Sequence, residues 1–105
     1  MRREIKISWE GQEIAIPNTM ALSNKIEMSG INIFWLYQQL CLPQYPPTTI
    51  TAVFLSMLLN EGGKKVEADD VLKAIIDSDQ TVYLVRAALE CCEQLIPALD
   101  SGGKK

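Results

Sequence analysis

The side chains of this sequence form no recognisable catalytic motif. The 105 residues include no histidine, which removes the commonest general base and the commonest metal ligand. Without histidine, neither a serine nor a cysteine nucleophile has its usual activating partner. The sequence therefore predicts no catalytic residues and a protein that is not an enzyme.

The three thiols of the chain are Cys41, Cys91 and Cys92. A structural zinc site takes four ligands, and none of these cysteines has the two-residue spacing of a zinc-binding pair. An odd number with one adjacent pair is also a poor disulfide framework. Neighbouring residues of a helix point about 100° apart, so Cys91 and Cys92 are not expected to face one partner. We expect reduced thiols that fill small spaces in the core.

Acidic residues cluster at a predicted helix start, Asp69-Asp70, and at a predicted helix junction, Asp77 and Asp79. Carboxylates could bind a cation there, but at a helix start they also complement the dipole and cap free N–H groups. We interpret them as capping residues. The segment Gly62-Gly63-Lys64-Lys65 lacks the glycine spacing and the Ser or Thr of a phosphate-binding loop, and we interpret it as a helix stop. The sequence predicts no metal and no cofactor.

The charge balance argues against nucleic acid as a partner. The net charge is −3 and the sequence pI is about 4.9. Basic residues occur as scattered pairs, which we interpret as solubilising surface groups: Arg2-Arg3, Lys64-Lys65 and Lys104-Lys105. A DNA-binding regulator would need a basic recognition helix, and none of the predicted helices is basic.

Membrane insertion is not expected either. The longest apolar stretches, residues 31–37 and 50–59, are interrupted by polar groups and fall short of the roughly 18 apolar residues of a membrane span. The first fifteen residues alternate apolar and charged groups, unlike a secretory signal. We expect a soluble protein of the cytoplasm.

The composition predicts one folded domain over residues 1–100, followed by a disordered polar tail at 101–105. The hydrophobic fraction is 48% and the charged fraction 22%, both ordinary for a globular chain. The predicted fold class is mainly α, of the α+β type: an N-terminal β-hairpin packed on a bundle of four to five helices.

The hairpin is predicted over about residues 4–17. Apolar side chains alternate with polar ones on both sides of the Glu10-Gly11 turn. If Trp9 pairs with Gln12, the large apolar groups fall opposite each other and share one face, which must pack on helices. These groups are Ile5, Ile7, Trp9, Ile14 and Ile16.

Five helical segments are predicted after the hairpin, each with a capping residue or a breaker at its ends. The first is capped by Asn18 or Thr19 and ends near Ser29, and the second covers residues 31–42. The third is capped by Thr48 or Thr49 and is terminated by Asn60-Glu61-Gly62-Gly63. The fourth covers residues 67–76, and the fifth covers about residues 80–95 and is capped by Ser78 or Asp79.

Periodic apolar residues mark the inner faces of four of these helices. They are Leu22 and Ile26 with Met20 and Met28 nearby; Ile50, Val53, Phe54, Met57 and Leu58; Val71, Leu72, Ile75 and Ile76; and, on the last helix, Val82, Val85, Leu89, Cys92 and Ile96 beside Leu84, Ala88, Cys91 and Leu95. So wide an apolar face on the last helix predicts contact on two sides.

The segment 31–42 is apolar nearly all round and is followed by a proline-rich loop at 43–47. It is either central in the core or partly exposed as a contact surface. Because Trp and Tyr are common interface anchors, we take Phe34, Trp35, Tyr37 and Tyr45 as candidate protein-contact residues. The alternative is that the aromatics simply belong to the core. Exposed groups of this size would support self-association as a homo-oligomer or capture of an apolar helix.

The order of elements resembles that of the tail assembly chaperones of long-tailed bacteriophages and of gene transfer agents. The similarity lies in the hairpin followed by Pro17, in a first helix with Ala21-Leu22 and Ile26-Glu27, in the helix end Asn60-Glu61-Gly62-Gly63, and in the acidic start Asp69-Asp70-Val71 of a short helix before a long apolar one. It spans about residues 5–99, while the proline-rich centre at 41–47 matches no part of the pattern.

The resemblance implies a non-enzymatic helper of tail assembly in the cytoplasm of a bacterial host. Proteins of this family bind the long helical tape-measure protein, help to bring tail-tube subunits to it and are absent from the finished particle. The family has no catalytic residues. The alternative function is a small structural or adaptor subunit, such as a head–tail connector or a regulator of another protein.

Overall fold

A two-stranded hairpin and five helices make up the described part of the chain. The computed structural model describes residues 4–42, 47–77 and 81–96. The strands are β1 (Glu4–Trp9) and β2 (Gln12–Pro17); the helices are α1 (Met20–Met28), α2 (Ile33–Cys41), α3 (Thr48–Glu61), α4 (Ala68–Asp77) and α5 (Thr81–Leu95). The predicted α+β fold, a hairpin with a helix bundle, is confirmed. The predicted tail at 101–105 lies outside the described residues.

The hairpin has the predicted register. Glu10 and Gly11 both have positive φ, 52° and 79°, as a two-residue turn of the favoured type I′ requires. Trp9 therefore lies opposite Gln12, and each inward isoleucine of β1 faces one of β2. All five predicted apolar side chains are buried: Ile5, Ile7, Trp9, Ile14 and Ile16.

Helix α1 begins and packs as predicted, except for its methionines. The hydroxyl of Thr19 accepts a hydrogen bond from the backbone N–H of Leu22 at 3.2 Å, and both Leu22 and Ile26 are fully buried. Met20 and Met28 are not near the core, since they are 80% and 87% exposed. At 100° per residue they lie 120° or more around the helix from the buried pair.

Helix α3 is the centre of the bundle, and its start differs from the prediction. The N-cap is Pro47, which makes no side-chain cap, so Thr48 and Thr49 lie inside the helix and do not cap it. The helix does end at the predicted glycines: Gly62 is the C-cap, and Gly63 has a φ of 93°. A glycine in this left-handed conformation is the usual continuation of a helix end.

The buried face of α3 is rotated relative to the predicted one. Phe54 and Leu58 are buried as expected, whereas Ile50, Val53 and Met57 are only partly buried. The rest of the buried face comes from residues outside the predicted stripe: Thr51, Ala52, Leu55, Ser56 and Leu59. Since α3 is apolar nearly all round, its periodicity cannot select which side is central.

Helix α4 carries Asp69 and Asp70 in its first turn, as predicted. Val71 and Ile75 are buried against the bundle, and α3 is the main neighbour of α4. Ile76 is 61% exposed, so its assignment to the buried edge is wrong. It lies one residue step, about 100°, beyond Ile75, on the solvent side of the helix.

Helix α5 places its predicted second stripe in the core. That stripe, Leu84, Ala88, Cys91 and Leu95, is buried. The hydroxyl of Thr81 donates to the carbonyl of Ile75 in α4, while the predicted caps Ser78 and Asp79 lie outside the described residues.

The cysteines divide into two environments. Cys91 and Cys92 are both buried although they are adjacent, because α5 is covered on more than one side. Cys41, at the end of α2, is exposed, so the expectation that it fills the core is wrong.

Candidate protein-contact surfaces

Helix α2 turns two of its aromatic side chains outward. The side chain of Asn32 caps the helix by accepting a hydrogen bond from the backbone N–H of Trp35 at 2.9 Å. The buried residues of α2 then follow at helical spacing: Ile33, Leu36 and Leu40. Phe34 and Trp35 fall on the other side and are 53% and 40% exposed. Of the two interpretations of this segment, partial exposure applies to these two residues.

Trp35 forms one wall of an apolar groove, which we call the Trp35 groove. It is about 340 Å³ in volume and lies between the α1–α2 connection, the start of α2 and the first half of α3. Its lining contains no charged side chain and consists of Ser29, Gly30, Ile31, Asn32, Trp35, Thr49, Ile50 and Val53. A groove of this composition suits apolar side chains of a partner.

Tyr37 occupies a different place from Phe34 and Trp35. It is half-buried, and the Cys41 thiol, burial and the nearby Glu93 carboxylate together raise the pKa of its hydroxyl. Since Glu93 belongs to α5, Tyr37 lies where α2 meets α5. The structure therefore brings together two of the four candidate contact residues, while Tyr45 lies outside the described residues.

The outer side of α5 forms a second surface, which we call the α5 groove. It has a volume of about 470 Å³ and is lined by Thr81, Val82, Val85, Arg86, Leu89, Glu90 and Glu93. Val82 is 72% exposed, and Val85 and Leu89 are half-buried. The apolar stripe predicted for this side of α5 is thus partly open, except at its buried member Cys92.

Both cysteines of α5 have thiols with raised pKa values. Burial raises the pKa of the Cys91 thiol, and burial followed by the neighbouring Cys41 and Glu93 raises that of Cys92 to about 12. Both are protonated at neutral pH, and a protonated thiol is a poor nucleophile. Within residues 4–42, 47–77 and 81–96, no three Cys, Asp or Glu side chains are grouped to hold a metal ion. None of the described helices is both long and apolar enough to cross a membrane.

No protein-family model, curated protein or solved structure matches this chain. A functional hypothesis therefore depends on the two grooves and on the short motifs of the sequence.

Two residues of the Trp35 groove are not predicted as surface residues by the sequence pattern. The pattern assigns Ile50 and Val53 to the core stripe of α3, yet both line the groove. The available signal is the continuous apolar run of α3, because a helix that is apolar on every side has more such surface than one core covers. Which residues remain outside depends on the position of α3 in the bundle.

Proposed function

We propose that this protein is a non-enzymatic tail assembly chaperone of a bacteriophage, prophage or gene transfer agent. In this function it binds an apolar helical segment of the tape-measure protein and assists assembly of the tail tube. The observation that carries the proposal is the exposure of Phe34 and Trp35, together with the uncharged apolar groove that Trp35 lines.

The Trp35 groove supports the capture of a helix. A helix that binds in a groove inserts apolar residues at positions i, i+3 or i+4, and i+7. The groove offers Ile31, Ile50 and Val53 as its apolar lining and Trp35 as its wall. The indole ring is an effective anchor because it buries a large area at low conformational cost.

The energy available from the two aromatic rings is sufficient for a measurable contact. Covering about 100 Å² on each of Phe34 and Trp35 would contribute about 2–3 kcal/mol per ring before the cost of association. The loss of either ring should therefore weaken binding by more than tenfold if both contact the partner, since about 1.4 kcal/mol corresponds to tenfold.

Two further observations support a binding role over chemistry. The buried thiols are held protonated, and the chain has no histidine. The resemblance to tail assembly chaperones adds the class of partner, a long helical protein that exposes apolar surface before assembly.

The test is co-expression with the neighbouring genes, which on this proposal encode the tape-measure and tail-tube proteins, followed by affinity capture. Wild-type protein should retain the tape-measure protein. Trp35→Ala should reduce the retained amount by more than tenfold while changing the melting temperature little. Leu36→Ala on the same helix is the matched control for the stability measurement. Leu36 is fully buried, so its truncation should cost about 2–5 kcal/mol of stability, unlike that of Trp35.

The outcome also separates the chaperone from its alternative. A chaperone should be missing from purified finished particles, whereas a structural or adaptor subunit should remain in them. Normal capture by Trp35→Ala, or a genome without a long tape-measure gene beside this one, would contradict the proposal.

A further inference from the structure

The α5 groove combines an apolar row with a charged row. Val82, Leu89 and Ile96 follow each other at intervals of seven residues, and Val82 and Leu89 line the groove. Arg86 and Glu93 are also seven residues apart and line the groove, as does Glu90 between them in the sequence. Seven residues are close to two helical turns, so each row runs nearly straight along α5.

The charged row has opposite signs at its two ends and no ion pair of its own. Within the part of the chain that the structure describes, neither Arg86 nor Glu93 forms an ion pair, and Glu93 lies beside the neutral hydroxyl of Tyr37. Along a helix the two side chains start about 10.5 Å apart, too far to meet each other. A partner surface that forms ion pairs with both side chains must offer a carboxylate opposite Arg86 and a cation opposite Glu93.

A second copy of α5 offers that arrangement. We infer that the α5 groove is the interface of a homodimer in which two α5 helices pack antiparallel, so that Arg86 of each protomer faces Glu93 of its partner. The inference goes beyond the proposed function, since it concerns a different surface and a different partner.

The spacing of the residues fits one twofold axis. An axis beside Leu89 brings the two Leu89 side chains together at the centre. The same axis places Arg86, three residues before Leu89, near Glu93 of the partner, four residues after it. It also places Val82 level with the partner's Ile96, seven residues on either side of Leu89. The apolar contacts and the charged contacts are thus satisfied by the same register of the two α5 helices.

Twofold symmetry also puts both charged rows on the same side of the interface. An isologous contact uses one patch twice, so each attractive pair occurs twice. In an antiparallel helix pair, residues on one flank of one helix meet the corresponding flank of the other. In a parallel pair each flank meets the opposite flank of the partner, so Arg86 and Glu93 could not face each other across the interface. The charge pattern therefore favours the antiparallel orientation.

The experiment is sedimentation velocity over a concentration series, with circular dichroism to confirm folding. Arg86→Glu and Glu93→Arg should each weaken the dimer by about tenfold, because one substitution makes both reciprocal pairs repulsive. The combined variant R86E/E93R should restore the wild-type dissociation constant. Lys73→Glu, an exposed change on α4 with the same charge difference as Arg86→Glu, should leave it unchanged.

Two results would overturn the inference. One is a wild-type protein that stays monomeric up to concentrations of about 1 mM, near the limit of weak specific association. The other is a combined variant that dimerises no better than the single ones. Neither result bears on capture by the Trp35 groove, so the inference and the proposed function fail independently.

Discussion

The hydroxyl of Tyr83 on α5 accepts a hydrogen bond from the backbone N–H of Ser8 on β1 at 2.8 Å. The same hydroxyl donates to the Ser8 carbonyl at 3.2 Å. Ser8 lies opposite Glu13, one position from the Trp9–Gln12 pair that closes the turn, so its backbone groups point away from β2. Tyr83 therefore occupies part of the open edge of β1 and attaches the hairpin to α5.

Removing this hydroxyl should loosen the attachment of the hairpin. Tyr83→Phe keeps the ring and deletes both hydrogen bonds, each worth about 0.5–1.5 kcal/mol net. We expect the free energy of unfolding to fall by about 1–2 kcal/mol, measured by urea denaturation. In native-state hydrogen exchange, the backbone amide of Ser8 should exchange faster in the variant. The amides of α3 should lose only the protection that corresponds to the drop in the global free energy of unfolding. Unchanged stability would mean that water replaces Tyr83 without loss.

The hairpin could be predicted in detail because its pattern allows one register. A slip by one residue would turn Ile5, Ile7 and Ile16 to solvent. The two-residue turn Glu10-Gly11 then fixes the pairing from the other end. Local and long-range preferences agree in this segment, and the structure confirms the predicted register.

The faces of α3 and α4 could not be predicted as well, because they depend on neighbours far away in the sequence. In α4, Val71 and Ile75 are buried and Ile76 is exposed, although all three lie on one apolar arc. The position of α4 on α3 decides which edge of that arc is covered. The same limit applies to Ile50 and Val53, whose partial exposure creates the Trp35 groove.

Asn60 and Glu61, at the end of α3, belong to the segment that resembles the tail assembly chaperones, and both make structural contacts in this fold. The side chain of Asn60 donates to the carbonyls of Ser56 and Val66, both at 2.7 Å. Glu61 forms an ion pair with Lys25 of α1 at 2.8 Å. These contacts close the α3–α4 connection and join α1 to α3. Their residue types are therefore explained by contacts within the fold.

Gly62 should be intolerant of a side chain because β2 lies too close. A Cβ atom at this position would lie 2.6 Å from Cγ2 of Ile14 and 3.0 Å from the carbonyl oxygen of Ala15. We expect Gly62→Ala to lower the free energy of unfolding by about 1–3 kcal/mol, as overpacking typically does. Thermal and urea unfolding would measure the loss.

Gly63 provides the matched control for Gly62. Its φ is 93° and no atom lies within 4 Å of a Cβ built there, so only backbone conformation limits substitution. Asn tolerates the left-handed region better than most residues. Gly63→Asn should therefore cost less than Gly62→Asn. Equal losses at the two positions would show that contact with β2 is not what restricts Gly62.

Thr51 contains a buried hydroxyl whose removal should stabilise the protein. The side chain is fully buried, and its Oγ1 has no hydrogen-bond partner within the described structure. Burying a hydroxyl without a partner costs about 1–3 kcal/mol on mutational scales. Thr51→Val keeps the shape and β-branching, and we expect it to raise the free energy of unfolding by about 1 kcal/mol in chemical denaturation. Thr49→Val, at an exposed position of the same helix, should change it by less than about 0.5 kcal/mol.

Alkaline pH should destabilise the fold through its buried thiols. Burial raises the pKa of Cys92 from an ordinary value of 9.0 to about 12, and it raises that of Cys91 as well. Well below pH 9 both thiols are protonated in the folded and the unfolded chain, so the stabilisation is fully present. As the pH rises further, only the unfolded chain releases the protons, and unfolding is favoured until the folded thiols titrate.

The expected slope is about 1.4 kcal/mol per pH unit for each thiol above pH 9. Urea denaturation at several pH values between about 7 and 11 would measure it. Cys92→Ala should cost stability at pH 7 through lost packing. Above pH 9, however, the free energy of unfolding of the variant should fall with pH less steeply than that of the wild type, and the two slopes should differ by about 1.4 kcal/mol per pH unit. Lysine and tyrosine titration is common to variant and wild type, so the difference in slope reports the Cys92 thiol together with its effect on the neighbouring Cys91. Parallel curves would show that the thiol ionises as readily in the folded chain as in the unfolded one.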